Sequence, residues 1–178
     1  MPRFPHLRPA PHRRCWALLL ALCCAAAMAQ QPVSEYGMKA VLFFRLSQFV
    51  YWPGQNGAPK PTVFCVAGDD NPFGDALAQI DKGNPTVEMR TTSGDLAGCH
   101  LLFIPRAEAA ALPVWLARTA NRPLLTVSDI AGFARGGGMV ELPLEGSRIG
   151  IVVNRRAALA RGFEFNAQLL RLARVVEP

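Results

Sequence analysis

Histidine and cysteine are scarce in this sequence, and their scarcity excludes several classes of enzyme. Of the three histidines and five cysteines, only Cys65, Cys99 and His100 lie beyond residue 30. A zinc site built from cysteine and histidine takes four ligands, more than these residues supply. No G-x-S-x-G nucleophile motif occurs anywhere in the chain. The sequence therefore predicts no catalytic residues, no metal ligands and no enzymatic activity.

Nucleotide-binding motifs and basic clusters are also lacking. Gly136-Gly137-Gly138 is the only run of glycines, and it precedes a predicted strand, whereas a phosphate site needs a helix N-terminus after such a loop. Beyond residue 29, the only basic doublet is Arg155-Arg156. We therefore expect no cofactor and no nucleic-acid partner.

The first 29 residues have the pattern of a secretory signal peptide. A segment with four arginines and no acid precedes the apolar run CWALLLALCCAAA, and Ala27-Met28-Ala29 follows. The run is shorter than the ~20 residues of a membrane-spanning helix. We expect cleavage after Ala29 and a mature chain of residues 30–178 that does not insert into a membrane. The four arginines would leave with the segment, which lowers the formal charge from +6 to +2.

Apolar strands and helical segments alternate through most of the remaining chain. A helix that begins after Ser34 and ends at Pro53 is predicted first, and a second helix with Asn71 as its N-cap follows. A helix broken at Pro113 and a final helix at 167–176 come later. Strands are predicted at 62–68, 85–92, 98–105 and 122–129, and MVELPLEGSRIGIVVN predicts a hairpin that turns at Glu145-Gly146-Ser147. This order predicts a single α/β domain with a mostly parallel twisted sheet, helices on both faces and an antiparallel C-terminal hairpin.

Polar residues follow the carboxyl ends of three predicted strands. They are Asp69, Asp70, Arg106, Ser128 and Asp129. Ligands of parallel sheets bind along this edge, so the residues are candidates for a small-ligand rim or, through the aspartates, for the magnesium site of a hydrolase. The favoured interpretation is simpler, because the loops between strands and helices need such residues whatever the function.

The two cysteines beyond the leader lie on predicted strands, 34 positions apart. An even number of cysteines in an exported protein favours a disulfide, which is possible if the strands are neighbours. Closing a loop of that size would add roughly 3–4 kcal/mol to stability. Two independent buried thiols are the alternative.

The first helix carries more apolar surface than a helix lying on one layer needs. Phe49, Tyr51 and Trp52 stand at its end, and aromatic residues are enriched at the centres of protein interfaces. These three are candidates for binding a partner. The alternatives are that Phe49 and Trp52 fill the domain core, or that the same surface forms a dimer contact.

Taken in order, several segments resemble the YfiR-like periplasmic family. They are SEYGMKAVLFFRLSQFVYWP, VFCVAGDDNPFG, LAGCHLLFI, RPLLTVSDIAGFARGGGMVEL, IGIVVN and QLLRLARVV, which together span about residues 34–176. The resemblance implies a small periplasmic α/β domain, often dimeric and without enzymatic activity. It further implies repression of an inner-membrane diguanylate cyclase through the periplasmic sensor region of that enzyme, which lowers cyclic di-GMP and biofilm formation. The resemblance also implies that redox stress in the cell envelope, or an outer-membrane partner, relieves this repression.

The sequence departs from the family pattern in its second half. The founding member has a second disulfide there, whereas this chain has no cysteine after Cys99. Only the first disulfide of the family carries over, onto Cys65 and Cys99, and redox sensing through the second is excluded. A periplasmic receptor for a small molecule is the alternative function.

Overall fold

A seven-stranded sheet organises the part of the chain that the structure describes. In this computed structural model, that part comprises residues 34–54, 63–76, 80 and 87–178. The expected signal peptide and most of the connector at 54–61 lie outside it. The helices are α1 (Glu35–Leu46), a 3-10 helix (Arg106–Ala111), α2 (Leu112–Thr119), α3 (Arg155–Leu159) and α4 (Ala167–Leu172). The strands are β1 (Val50–Tyr51), β2 (Val63–Ala67), β3 (Glu88–Thr92), β4 (Leu101–Ile104), β5 (Leu125–Ser128), β6 (Val140–Glu141), β7 (Leu144–Glu145), β8 (Arg148–Ile149), β9 (Val152–Asn154), β10 (Glu164–Phe165) and β11 (Arg174–Val176).

The strand order of the large sheet is β11-β9-β6-β5-β4-β2-β3. Every neighbouring pair in it is parallel except β6 and β9. The five strands from β3 to β6 have the 2-1-3-4-5 order of a flavodoxin-like doubly wound sheet. The predicted fold class is confirmed. The predicted hairpin is confirmed as well, since β7 pairs antiparallel with β8 around Gly146.

The central strands are buried on both faces, which explains their nearly continuous apolar sequences. Phe64 and Val66 of β2 belong to one core together with Phe43 of α1. The alternate residues Cys65 and Ala67 belong to a second core that includes Trp115 of α2. Since successive side chains of a strand point to opposite faces, this division places α1 and α2 on opposite sides of the sheet.

The prediction that the first helix ends at Pro53 is wrong. The helix ends at Leu46, and the chain then forms β1, in which Val50 pairs with Phe165 and Tyr51 with Glu164. Here the pairing of an aromatic and β-branched segment with a distant strand replaces the helix.

The prediction of a final helix that continues to Val176 is also wrong. Helix α4 ends at Leu172, and Arg174–Val176 form the edge strand β11, parallel to β9. The adjacent valines Val175 and Val176 favour an extended strand when a partner strand is available.

Proline 113 marks a break between two helices, as its sequence position predicts. The 3-10 helix ends at Ala111, and Pro113 lies in the first turn of α2, where its missing N–H costs no hydrogen bond. The predicted helix after Asn71 lies largely outside the described residues. Residues 72–75 form a turn, and the Asn71 side chain accepts a hydrogen bond from the Phe73 backbone N–H. No helix among the described residues is long and apolar enough to cross a membrane.

Candidate functional site

A buried ion pair joins helix α1 to the carboxyl end of β5. The Lys39 Nζ donates a hydrogen bond to Asp129 Oδ2 at 2.7 Å, and both side chains are fully buried. Lys39 also pairs with Glu35, one helical turn earlier. Ser34 fixes the start of the helix, since its Oγ accepts a hydrogen bond from the Gly37 backbone N–H. The helix start is therefore tied to the sheet by charge as well as by packing.

Arg106, the first residue of the 3-10 helix after β4, completes this ion cluster. Its Nε donates to Asp129 Oδ2 at 2.9 Å, its backbone N–H donates to Asp129 Oδ1 at 2.7 Å, and its guanidinium pairs with Glu35. Two cations thus balance two carboxylates. The ring of Tyr36 lies beside both cations, with the Lys39 Nζ 4.9 Å from its centroid.

The pKa values of Glu35, Arg106 and Asp129 are shifted in the directions that keep these three groups charged. Hydrogen bonding by Lys39 is the main reason that the pKa of Glu35 is lowered. Burial raises the pKa of Asp129, but the hydrogen bonds and charges of Lys39 and Arg106 outweigh burial, so the net pKa is lowered. The pKa of Arg106 is raised, first by its hydrogen bond to Asp129. Burial, followed by the Asp129 carboxylate, raises the pKa of Tyr36.

The five predicted rim residues have different environments. Arg106 and Asp129 meet in the ion cluster, while Ser128 is buried and donates to the Ile104 carbonyl at 2.6 Å. Asp69 and Asp70 are exposed at the end of β2. Among the residues that the structure describes, no group of three His, Cys, Asp or Glu side chains could hold a metal ion. A ligand that bound Asp129 would have to displace it from three existing hydrogen bonds.

Another side chain covers the point where ligands of doubly wound sheets usually bind. That point lies between β2 and β4, where the strand order reverses. Gly68 directly follows β2 and has φ +92°, and a Cβ there would lie 2.6 Å from Glu108 Oε1. The other carboxylate oxygen, Glu108 Oε2, accepts a hydrogen bond from Trp115 Nε1 at 2.9 Å. The Glu108 carboxylate is therefore held over the end of β2.

Cys65 and Cys99 form a disulfide, as predicted. Their Cα atoms are 5.9 Å apart, and the bond joins β2 to the turn before β4. His100 precedes β4 instead of lying within it, and its Nδ1 accepts a hydrogen bond from the Val63 backbone N–H at 3.2 Å. Burial lowers the pKa of His100. The histidine therefore serves strand pairing as a neutral acceptor.

The three candidate partner-binding aromatics differ in exposure. Tyr51 is 64% exposed, whereas Phe49 and Trp52 are partly buried against the larger core. The Trp52 ring meets Phe163 edge-to-face at 5.3 Å, and its Nε1 donates to the Ser47 carbonyl at 3.3 Å. The structure thus places much of Trp52 in the domain and leaves Tyr51 as the most accessible of the three.

The rim prediction did not include Glu35 and Lys39. A sequence signal exists, because Glu35 and Lys39 are spaced one turn apart on a helix and Lys39 lies among apolar residues. The partner of Lys39 could not be read from that spacing, since Asp129 is 90 positions away.

Fold and site define a doubly wound α/β domain whose central charged groups bind one another. The family model described as YfiR/HmsC-like matches residues 36–174. The chain therefore belongs to the YfiR/HmsC-like family, a family of periplasmic regulators not known as enzymes. A search of curated proteins found no match.

Proposed function

We propose that the mature protein binds the periplasmic sensor region of an inner-membrane diguanylate cyclase and represses that enzyme. Repression would lower cyclic di-GMP and biofilm formation. The observation that carries this proposal is the family match over residues 36–174, which spans the sheet and the helices on both of its faces. The proposal includes export to the periplasm after cleavage behind Ala29.

The hydrogen bonds of Asp129 and His100 disfavour a catalytic role for these two residues. Asp129 accepts hydrogen bonds from Lys39 and from both the side chain and the backbone of Arg106. A carboxylate engaged in this way is poorly placed to act as a general base or a metal ligand. His100, which follows Cys99 in the sequence, uses Nδ1 as an acceptor for a backbone N–H.

The surface available for the partner includes the predicted aromatics. Tyr51 has 64% of its surface exposed, and the partly buried Phe49 directly precedes β1, three residues after α1 ends. A large amphipathic ring of this kind provides contact area at low cost in conformational entropy. We assign Tyr51 and Phe49 to the partner-binding surface and assign Trp52, which packs on Phe163, to the packing of the domain.

Cyclic di-GMP measurement in four strains tests the proposal. They are the parent, a deletion of this gene, the deletion complemented by the full chain, and the deletion complemented by residues 30–178 without the leader. A repressor of a periplasmic sensor predicts a rise on deletion, restoration by the full chain and no restoration by the leaderless chain. Unchanged cyclic di-GMP after deletion, in both oxidising and reducing growth, would overturn the proposal.

A further inference from the structure

An apolar groove lies between α1, the strands β8–β9 and α4. Leu42, Leu46, Phe49, Ile151, Leu169 and Leu172 line it. Ile151 and Leu172 also line a neighbouring depression that contains Ile149. The two depressions therefore form one continuous surface, here called the α1–α4 groove.

The wall of this groove exposes more apolar surface than the fold requires. Leu172 is 72% exposed, although Leu169 on the same short helix is buried. Val41 and Leu144 belong to elements that border the groove, α1 and the β7–β8 hairpin, and are also exposed, at 41% and 46%. Single exposed aliphatic residues are common, but several on the elements around an apolar groove favour an interaction site.

The edge of the groove is basic. Arg45 borders one depression and Arg148 borders the other, and both side chains are exposed. Neither arginine forms an ion pair with any residue in the described ranges. Glu145 is the acid at this edge, and Arg174 pairs with it at 3.3 Å. The edge therefore presents net positive charge to whatever occupies the groove.

We propose that the α1–α4 groove binds an acidic amphipathic helix of the partner. An apolar stripe on that helix would pack on Leu172 and Ile151, and acidic residues beside the stripe would pair with Arg45 and Arg148. Amphipathic helices bind such grooves through apolar side chains one turn apart, and charge complementarity selects among them. The assignment of this helix to a cyclase sensor rests on the proposed function. The preference of the groove for an acidic amphipathic helix does not rest on that function.

Two synthetic peptides test the groove without reference to the cyclase. Both are 18-residue helix formers with the same leucine stripe, flanked by glutamates in one and by lysines in the other. The acidic peptide should shift the methyl NMR signals of Ile151, Leu169 and Leu172 and bind at least about tenfold more tightly than the basic one, a difference within reach of two exposed charge pairs. Arg148→Glu should reduce or reverse this preference. Equal binding of the two peptides, or shifts confined to other residues, would overturn the proposal.

Complementation in the deletion strain provides the second test. Leu172→Glu and Arg148→Glu should fail to restore low cyclic di-GMP. The matched controls Val114→Glu, at a residue of α2 that is 51% exposed, and Arg135→Glu, at an exposed loop residue, should restore it. Circular dichroism and thermal unfolding check that all four variants fold.

The outcomes separate this inference from the proposed function. If deletion raises cyclic di-GMP and all four variants restore the low level, the repressor function stands and the proposal that the groove binds the partner is wrong. If deletion has no effect, repression is wrong and the peptide titration alone decides the groove. If Leu172→Glu only converts a dimer to a monomer and neither peptide binds, a second copy of this chain occupies the groove and the proposal is overturned.

Discussion

The Lys39 ammonium group lies 2.7 Å from the Asp129 carboxylate, and neither side chain has any solvent exposure. The pair connects the first helix to the carboxyl end of a central strand across 90 positions of sequence. Removing two charges from water costs free energy that their attraction recovers only in good geometry with further hydrogen bonds. Glu35 and Arg106 supply those bonds here, so the four residues act as one structural unit.

Removing the charge of Lys39 from this four-residue ion cluster should strongly destabilise the fold. Lys39→Met would leave Asp129 buried with only Arg106 as a partner, and we expect a loss of about 3–5 kcal/mol in the free energy of unfolding. Urea denaturation monitored by circular dichroism measures it. The matched control is Arg171→Met on the exposed side of α4, for which we expect a change within about 0.5 kcal/mol. A loss below 1 kcal/mol for Lys39→Met would show that the pair contributes little.

Acid should weaken the folded state through the same residues. The pKa values of Glu35 and Asp129 are both lowered in the folded protein. Their contribution to stability is therefore present above the unfolded pKa values of about 4 and is lost as the pH falls through the folded values. Urea midpoints at pH 7, 5 and 3 should fall mainly below pH 5.

The Asp129→Asn variant provides the control for this pH dependence. It should be less stable than the parent at pH 7 and should lose less stability than the parent between pH 5 and pH 3, because one of the two carboxylates is absent. A parent and a variant with parallel pH profiles would contradict the assignment of acid sensitivity to Asp129.

The disulfide should contribute measurable stability. The bond closes a separation of 34 residues, so replacing both cysteines by alanine should cost roughly 3–4 kcal/mol in the chain-entropy description. Urea unfolding of the double variant, compared with the parent with and without reductant, measures the cost. If the reduced parent is as stable as the oxidised one, the bond does not stabilise the fold.

Export should remove the leader. Cleavage after Ala29 predicts that protein recovered from the periplasm begins at Gln30 and has lost the three cysteines of the leader. Intact mass under non-reducing conditions tests both points, because the mature chain should carry one disulfide and no free thiol. A mass that corresponds to the full 178 residues would contradict cleavage.

Much of the fold could be predicted from local patterns. Apolar runs predict the bounds of β2, β4 and β5 to within a few residues, because strands buried on both faces have few polar interruptions. The break at Pro113 follows from the ring of proline itself. By contrast, β1 and β11 form because distant strands pair with them. Without those partners in view, the sequences of both segments simply continue the helical patterns that precede them.

The candidate site was predictable in part for a related reason. The sequence predicts Arg106 and Asp129 as site residues because both follow carboxyl ends of parallel strands. It does not predict their partner Lys39, because a lysine on a helix is normally exposed and the burial of this one depends on a strand far away in sequence. The groove residues Ile151 and Leu172 come together only after β9 and α4 pack, so no local pattern marks them.

Tyr51 and Trp52 should separate partner binding from core packing. The Trp52 ring packs on Phe163 at 5.3 Å and is partly buried, so Trp52→Ala should cost about 2 kcal/mol, less than the 3–5 kcal/mol of a fully buried ring. The ring of Tyr51 is 64% exposed, so Tyr51→Ala should change stability by no more than about 0.5 kcal/mol. If Tyr51 contacts the partner, its alanine variant should nevertheless fail to hold cyclic di-GMP low in the complemented deletion strain, while Tyr51→Phe, which keeps the ring, should succeed. Full restoration by Tyr51→Ala would show that Tyr51 is not part of the partner-binding surface. If only Trp52→Ala then lost repression, and its unfolding midpoint were lowered, the loss would be a consequence of a weakened fold.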